Sequence, residues 1–476
     1  MWISWKTDAA CIGKVRFASA GGAELVAQEA VEGLRHGVRL EGLAPATVYS
    51  YRVFDGDRPL HDEAFQFRTA PPAGPSSFRA VVFGDSGWGK QDQMDIAARI
   101  AEMAPDLVIH TGDLDYLHDI QASYFEPYRG LLARTCVYPC RGNHDFLETI
   151  WREVVIPPME NPEKTGTYYS LDWGCAHFAF LDTEVDFLQM NTKDSKQLKW
   201  LDADLQAAAA RSPSWTILVT HWPPLTVGSY AIYTSSFAPI LAFADRYKVD
   251  LILSGHDHNY QRSLPVRSKI VHDAWQDPAY VSPQGTVCVV TGGGGGPLYL
   301  ESLRSDHRFN RIFRSVYHAL EMEVDPARLS IKAIAADKTV IDSFSIRKDR
   351  PRPGLPILRG DVDSNGCQEL TDGIAMLGHI YLDQPVGCPP AGLIEDSDRV
   401  IQINDVLLLL TWLFLDGPPP APPGQGPGRP GAVRPVGKAT APQSPGIPSG
   451  TAPSPPGFPG SHGSTPGDRT RPWAGQ

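Results

Sequence analysis

Five short blocks carry residue types able to hold metal ions: Gly84-Asp85-Ser86-Gly87, Gly112-Asp113-Leu114-Asp115-Tyr116, Gly142-Asn143-His144-Asp145, Thr220-His221-Trp222-Pro223 and Gly255-His256-Asp257-His258. Carboxylates, a carboxamide and imidazoles suit a pair of first-row cations better than calcium or a thiolate-bound zinc. Two such cations, roughly 3.5–4 Å apart, would clamp the attacking and leaving oxygens of an in-line phosphoryl displacement. A water held between them loses a proton near neutral pH and becomes the nucleophile. One Asp or His after a strand is ordinarily a helix cap or a satisfied polar group. Five blocks in order within one domain are not accounted for that way, and no serine or cysteine elbow offers a rival mechanism.

The elements that must position these blocks are legible as apolar strands alternating with helical stretches between Phe78 and about Arg347. Strands are expected at 80–83, 107–110, 136–139, 177–181, 215–220, 251–253 and 286–290, and helices at 93–103, 194–210 and 237–247. Each block follows closely on a strand, so all five belong on loops at one edge of a sheet, where sites of layered α/β domains gather. Residues 1–70 read instead as short strands with turns at Ala20-Gly21-Gly22 and Asp55-Gly56-Asp57, a β-sandwich pattern. The Pro/Gly segment Ala70–Pro75 ends that region, and a second Pro-rich linker follows at Pro351–Pro356.

The chain has 476 residues, with 43 Lys+Arg against 54 Asp+Glu, a net charge of −11. That acidic balance, without a basic stripe, argues against a general nucleic-acid binder. No apolar run approaches the roughly 20 residues that span a bilayer. Seven cysteines are too few for a disulfide scaffold. The 44 Gly and 43 Pro concentrate after Gly417, where about half the residues are one or the other. Such a tail cannot repay its ordering entropy and is expected to be disordered over 417–476. No signal peptide is visible, since Met1-Trp-Ile-Ser-Trp-Lys alternates like a strand. The chain is expected to begin inside a longer one.

The five blocks resemble the metallophosphoesterase (calcineurin-like) superfamily, and Tyr116, three residues after Asp113, narrows the resemblance to purple acid phosphatases. Leu43-Ala44-Pro45-Ala46-Thr47-Val48-Tyr49-Ser50-Tyr51 resembles fibronectin type III-like domains, which that family carries N-terminally. The resemblance implies a fibronectin type III-like sandwich over 1–70, expected to be truncated of its first strands, and a four-layer α/β catalytic domain over 76–348. It further implies that Asp85, Asp113, Tyr116 and His258 bind one metal, typically Fe(III), and that Asp113 bridges to a second, Fe(II), Zn or Mn, completed by Asn143, His221 and His256. His144 would protonate the leaving group or stabilise the pentacoordinate phosphorus. From their positions beside these blocks, His110 is expected to order its loop or serve as an outer partner of the ligands, and Asp257 to orient a histidine or to stabilise its loop. The implied activity is hydrolysis of phosphate monoesters, with a phosphodiesterase of the same superfamily and a non-catalytic extracellular binding protein as alternatives. One departure concerns substrate: the loop Leu225–Tyr233 lacks the extra histidines that help plant members bind phosphate. The pentaglycine Gly292–Gly296 is expected to be a flexible rim.

Residues 358–416 form a small module with two Asp-rich loops, each leading into an apolar helical run. Asp361, Asp363, Asn365 and Asp372 stand at positions 1, 3, 5 and 12 of a calcium-type loop, with Gly366 at the turn and the Cys367 carbonyl at position 7. With Gly373–Leu377 this resembles half of a type I dockerin repeat. The second loop keeps Asp396, Asp398 and Asp405 but has Ile394 at position 1, so calcium is expected at the first only. Helix 406–414 is expected to pack on 374–380, with Cys367 and Cys388 as a possible staple. The module implies a cohesin-like partner through 360–416 and an extracellular or periplasmic location in a bacterium.

Overall fold

The structure, a computed structural model, describes residues 1–145, 151, 161–184, 195–303, 305–348, 370–382 and 403–415. These fall in two units, one within Met1–Leu355 and one within Pro356–Gln476.

The first unit begins with a β-rich region. Strand Trp2–Cys11 pairs antiparallel with Gly33–Arg39, and Gly13–Ser19 joins Leu25–Gln28, Val48–Asp55, Arg58–Pro59 and Phe65–Arg68 in a second sheet. Alternation along these strands sends Val15, Phe17, Val38, Tyr49, Tyr51, Val53 and Phe67 into one core. The two tyrosines of the sequence signature are packing residues with anchored tips. Tyr49 Oη accepts from the Ala44 N–H at 2.9 Å, and Tyr51 Oη donates to the Ala133 carbonyl at 2.8 Å, tying this region to the body that follows.

That body is four layers deep. One seven-stranded sheet runs Cys136–Pro139, Leu107–His110, Phe78–Phe83, His318–Val324, Arg328–Ala335, Val340–Arg347 and Ala279–Val281. The other runs Tyr169–Trp173, Ala176–Phe180, Trp215–Thr220, Leu251–Ser254, Val287–Thr291, Tyr260–Ser263 and Asn310–Arg314. The main core lies between the sheets, where Val82, Ile109, Phe178, Ile217, Val219, Leu253, Leu320 and Ile331 meet. On the outer face of the first sheet, Val81, Phe83 and Val108 cover Ile96 and Ile100 of helix Gln91–Met103. On the outer face of the second, Leu218 and Ile252 meet Leu201 and Leu205 of helix Lys196–Arg211 and Ile240 of helix Ala238–Tyr247.

The central parallel strands are apolar at successive positions because helices bury one face and the second sheet the other. The antiparallel strands of 318–347 are a different case. Their apolar residues alternate with Glu321, Glu323 and Lys332, so no apolar run announces them, and they were absent from the strands expected from sequence.

In the second unit, helices Leu370–Leu382 and Ile403–Phe414 pack through Met376, Val406 and Leu409. Asp372 and Asp405 sit buried in the first turns of these helices. The loop positions Asp361, Asp363, Asn365 and Cys367, together with Cys388, Asp396, Asp398 and the tail from 417, lie outside the described residues.

Candidate metal centre

The ends of five parallel strands deliver the five blocks to one place. Asp85 follows Phe78–Phe83, Asp113 follows Leu107–His110, Asn143 and His144 follow Cys136–Pro139, His221 follows Trp215–Thr220, and His256 follows Leu251–Ser254. Three of these residues adopt left-handed backbone: Asp85 at φ 57°, Asp113 at φ 61° and His256 at φ 66°. Such conformations cost on the order of 1–3 kcal/mol each and persist only where neighbours over-determine them. The neighbours are visible. The Asp85 N–H donates to Gly112 O at 2.9 Å, the Asp113 N–H to Asp145 Oδ2 at 2.8 Å, and the His256 N–H to both Asp85 carboxylate oxygens at 3.0 Å. Glycines let the loops close on one another: a Cβ on Gly142 would lie 2.2 Å from Asp113 Oδ1, and one on Gly255 would lie 2.4 Å from Asp85 Oδ2.

The side chains form two groups joined by one carboxylate. In the first, Tyr116 Oη lies 2.8 Å from Asp113 Oδ2, 2.9 Å from His258 Nε2 and 3.4 Å from Asp85 Oδ1. In the second, Asn143 Oδ1 lies 3.0 Å from His221 Nε2 and 2.8 Å from His256 Nδ1, and the two ring nitrogens are 3.1 Å apart. Asp113 faces both groups, with Oδ2 toward Tyr116 and Oδ1 3.5 Å from His221 Nε2. Ligand atoms of Asp85, Asp113 and His221 all lie within 4.8 Å of one another.

The donor chemistry fits cations. His258 Nδ1–H donates to the Pro297 carbonyl at 2.7 Å and His221 Nδ1–H to the Thr111 carbonyl at 2.9 Å. Each bond turns Nε2 inward toward oxygen acceptors, the orientation that carbonyl-anchored imidazoles adopt as metal ligands. The electrostatics agree. Burial pushes the Asp85 carboxyl up, with Asp113 adding to the rise. Burial, Asp113 and Asp85 hold the Tyr116 hydroxyl well above its ordinary value. Burial lowers the His221 imidazole, yet Asp113, Asp85 and Glu184 outweigh it and raise the group to about 9. Burial and the neighbouring histidines His221 and His258 push His256 far down, keeping it neutral. The closely held carboxylates draw positive charge to the inward nitrogens, whether a proton on His221 and His258 or a cation in its place.

His144 sits at the opening. Its N–H donates to Asp113 Oδ1 at 2.9 Å, and its half-buried ring lies 4.3 Å from the Tyr116 ring. Burial lowers its pKa. His110 is wholly buried behind the loops: its Nε2 pairs with Ser86 Oγ at 2.8 Å and its Nδ1 accepts from the Gly112 N–H at 3.2 Å. Asp145 fastens the Asp113 loop by accepting from the N–H groups of Asp113, Leu114 and Gly142.

One expectation is decided and one corrected. Of the two roles open to Asp257, its contacts are those of loop stabilisation. Its carboxylate accepts from Thr226 Oγ1 at 2.5 Å and from the Tyr230 N–H at 3.4 Å, so it pins the loop after His221. The pentaglycine is not a flexible rim. Gly292 through Gly296 are all buried, and a Cβ on Gly292 would lie 2.8 Å from Asp85 Oδ2, one on Gly294 2.3 Å from Gly84 O, and one on Gly296 2.8 Å from His258 Cε1. The run is glycine because the site wall leaves no room for side chains.

Sequence reasoning missed the aromatic packing. Trp222 stacks on His256 at 3.5 Å between centroids, Tyr230 lies at 4.1 Å from the same ring, and Tyr299 stacks on His258 at 4.1 Å and 9°. The only available signal was Trp222 beside His221; Tyr230 and Tyr299 lie on loops with no motif.

Residues 78–260 match the calcineurin-like phosphoesterase family. The chain is 27% identical to purple acid phosphatase 15 of Arabidopsis thaliana over 303 residues, covering 55% of this chain and 54% of that protein. It is 28% identical to human acid phosphatase type 7 over 286 residues, covering 55% of this chain and 64% of that protein. The match thus spans less than two thirds of either relative's length, and some further relatives bear the description "probable inactive". The fold resembles that of purple acid phosphatase PPD1 from yellow lupin seeds, with a TM-score of 0.65 at 19% identity over 73% of this chain and 72% of that one.

Proposed function

We propose, taking residues 78–260 as a calcineurin-like metallophosphoesterase domain, that the protein is a phosphoric monoester hydrolase of purple acid phosphatase type. The observation that carries the reading is a phenol among the candidate ligands: Tyr116 Oη within 2.9 Å of both Asp113 and His258. Asp85, Asp113, Tyr116 and His258 would hold one cation, Fe(III) in this reading, and Asp113, Asn143, His221 and His256 a second, Fe(II), Zn or Mn. When bound, the pair supplies Lewis acidity to the phosphoryl oxygens and lowers the pKa of an attacking water. Asp113 holds the two halves in register, because each of its oxygens serves one of them. His221 and His258 keep their lone pairs inward through their backbone carbonyl partners. His144, on the open side against Tyr116, gives its proton to the leaving oxygen. The module at 358–416 would bind calcium at its first loop and a cohesin-like partner, on an exported protein.

The test is the visible spectrum and turnover of iron-loaded protein. Wild type should show a phenolate-to-Fe(III) band and hydrolyse 4-nitrophenyl phosphate. Tyr116→Phe should lose the band while its circular dichroism stays unchanged. Retention of the band in Tyr116→Phe sinks the ligand role. A colourless wild type that turns over bis(4-nitrophenyl) phosphate faster than the monoester replaces the reading with a phosphodiesterase.

A further inference from the structure

Polar groups alone do not describe the opening of this centre. Tyr230 lies 6.3 Å from Tyr233 and 5.9 Å from Tyr299 between ring centroids. Together they extend the surface that begins with Trp222 on His256 and Tyr299 on His258. Across the site, Trp88 meets Tyr116 edge-on at 5.4 Å. Tyr233 is 41% exposed and Ile232 beside it 68% exposed, while Tyr230, Tyr299 and Trp88 are partly exposed, so these faces reach solvent at the mouth.

On the side of Tyr230 and Tyr299 the loops hold no cationic side chain: neither 225–233 nor 292–303 contains Lys, Arg or His. Lys90 lies across the site, 5.0 Å over the Trp88 ring. A charged leaving group directed at the tyrosines would find no partner there beyond the candidate ligands themselves.

The collar is also fixed before anything binds. Its two loops are stitched to each other by Ser302 N–H to Val227 O at 2.8 Å and Ser229 Oγ to Leu300 O at 3.5 Å. Its base is held by Val227 N–H to Gln261 Oε1 at 2.8 Å and by the Asp257–Thr226 bond. Rigid aromatic faces bind planar rings at little entropic expense.

From this juxtaposition we infer that the centre selects phosphate esters whose leaving group carries an aromatic ring, with Tyr230 and Tyr233 as the specificity-determining residues. The inference rests on the phosphatase reading for its reaction and on the collar for its selectivity. An aromatic pair is worth more than its area alone, enough for about a 3- to 10-fold preference.

The experiment compares benzyl phosphate with cyclohexylmethyl phosphate, which match in size and differ in the π-face; benzyl alcohol is somewhat the stronger acid, so the selectivity is the part of the ratio that the tyrosine variants remove. It is run on metal-loaded full chain alongside calorimetric binding of benzylphosphonate and cyclohexylmethylphosphonate, whose C–P bonds are not hydrolysed. The expected result is a kcat/KM ratio of about 3- to 10-fold for the benzyl ester. The ratio should fall toward one in Tyr230→Leu and in Tyr233→Leu, the second variant being the farther from the ligands. A wild-type ratio near one, or a ratio unmoved in both variants, overturns the inference while leaving phosphatase activity standing. No turnover of either ester, with benzylphosphonate still bound more tightly and that preference lost in the variants, overturns the reaction and retains the selectivity. No binding of either phosphonate overturns both.

Discussion

At His177 both ring nitrogens face carboxylates, Nδ1 to Asp172 at 2.8 Å and Nε2 to Asp204 at 2.9 Å, with Arg211 bonded to Asp172 as well. At the candidate metal centre, His221 and His258 turn one nitrogen away to a backbone carbonyl and the other inward. Both places combine buried histidine with aspartate, and in both the carboxylates raise the imidazoles, His177 as well as His221 and His258. What differs is where the second nitrogen of each ring is anchored. Two carboxylate acceptors require both His177 nitrogens to carry hydrogen, so the imidazolium is itself the cation. Burial opposes its charge, but Asp172 and Asp204 outweigh burial and raise its pKa. At the candidate centre the second nitrogen of His221 and of His258 is committed to a backbone carbonyl, so only Nε2 faces the carboxylates, where a cation can take the place of its proton. The contrast teaches that residue content alone does not mark a metal site; the direction of each ring's remaining N–H does.

The largest way to break the contrast is Asp113→Asn. It removes half the negative charge shared by the two groups, and turnover should fall by more than the roughly 10–100-fold typical of losing an outer partner. Ligand binding stabilises a fold in proportion to occupancy, by about 2.7 kcal/mol at a hundredfold excess over Kd. The rise in Tm on adding metal should therefore shrink in Asp113→Asn, and a chelator should abolish it in wild type. An unchanged metal-induced rise in the variant would show that Asp113 is not shared.

His177→Gln should do the reverse. It lowers Tm with and without metal and leaves the metal-induced rise intact, because its charge partners are its own. The loss should be on the order of 1.5–3 kcal/mol at acidic pH, the worth of hydrogen bonds to charged groups. A histidine whose folded pKa is raised adds stability that is fully present below its unfolded pKa of about 6.5 and disappears as pH rises through the folded value. The wild-type advantage over His177→Gln in urea melts should accordingly be larger near pH 5.5 than near pH 8.5, roughly speaking, by the same linkage. An advantage that grows with pH would mean that His177 is neutral.

Asp257→Asn is the smallest perturbation. It weakens the bonds to Thr226 and the Tyr230 N–H by about 0.5–1.5 kcal/mol in sum. Metal content should stay at wild-type level, with KM rising more than kcat falls, as steady-state kinetics would read. Loss of bound metal would instead return Asp257 to the role of orienting a histidine.

Much of the positioning was legible because chemistry and local punctuation coincide. Each of the five blocks follows an apolar strand, so Asp85, Asp113, Asn143, His144, His221, His256 and His258 read as loop residues. Expected at one edge of a sheet, they come together with Tyr116 from two, Asp85, Asp113, Asn143 and His144 from the first sheet and His221, His256 and His258 from the second. The helix expected at 93–103 forms as Gln91–Met103, and that at 237–247 as Ala238–Tyr247. Strand and helix periodicity are properties of neighbours along the chain, and a sequence records those directly.

What lay outside that reach depends on residues far apart in the chain. Asp257 adjoins two candidate ligands in sequence, yet its carboxylate reaches Thr226 and the Tyr230 backbone, 31 and 27 positions away. The pentaglycine reads as slack by composition, but Gly84, Asp85 and His258 press against it, so its glycines answer a steric demand rather than a need for motion. The left-handed backbone of Asp85, Asp113 and His256 follows from hydrogen bonds that exist only once the loops meet. Residue type and local order fixed which side chains could bind metal and that each would stand on a loop just after a strand; that two sheets share the task is a tertiary fact. Only the tertiary structure decided which nitrogen each histidine offers, what pins the loop after His221 and which aromatic faces surround the opening, because proton placement and stacking are set by contacts through space.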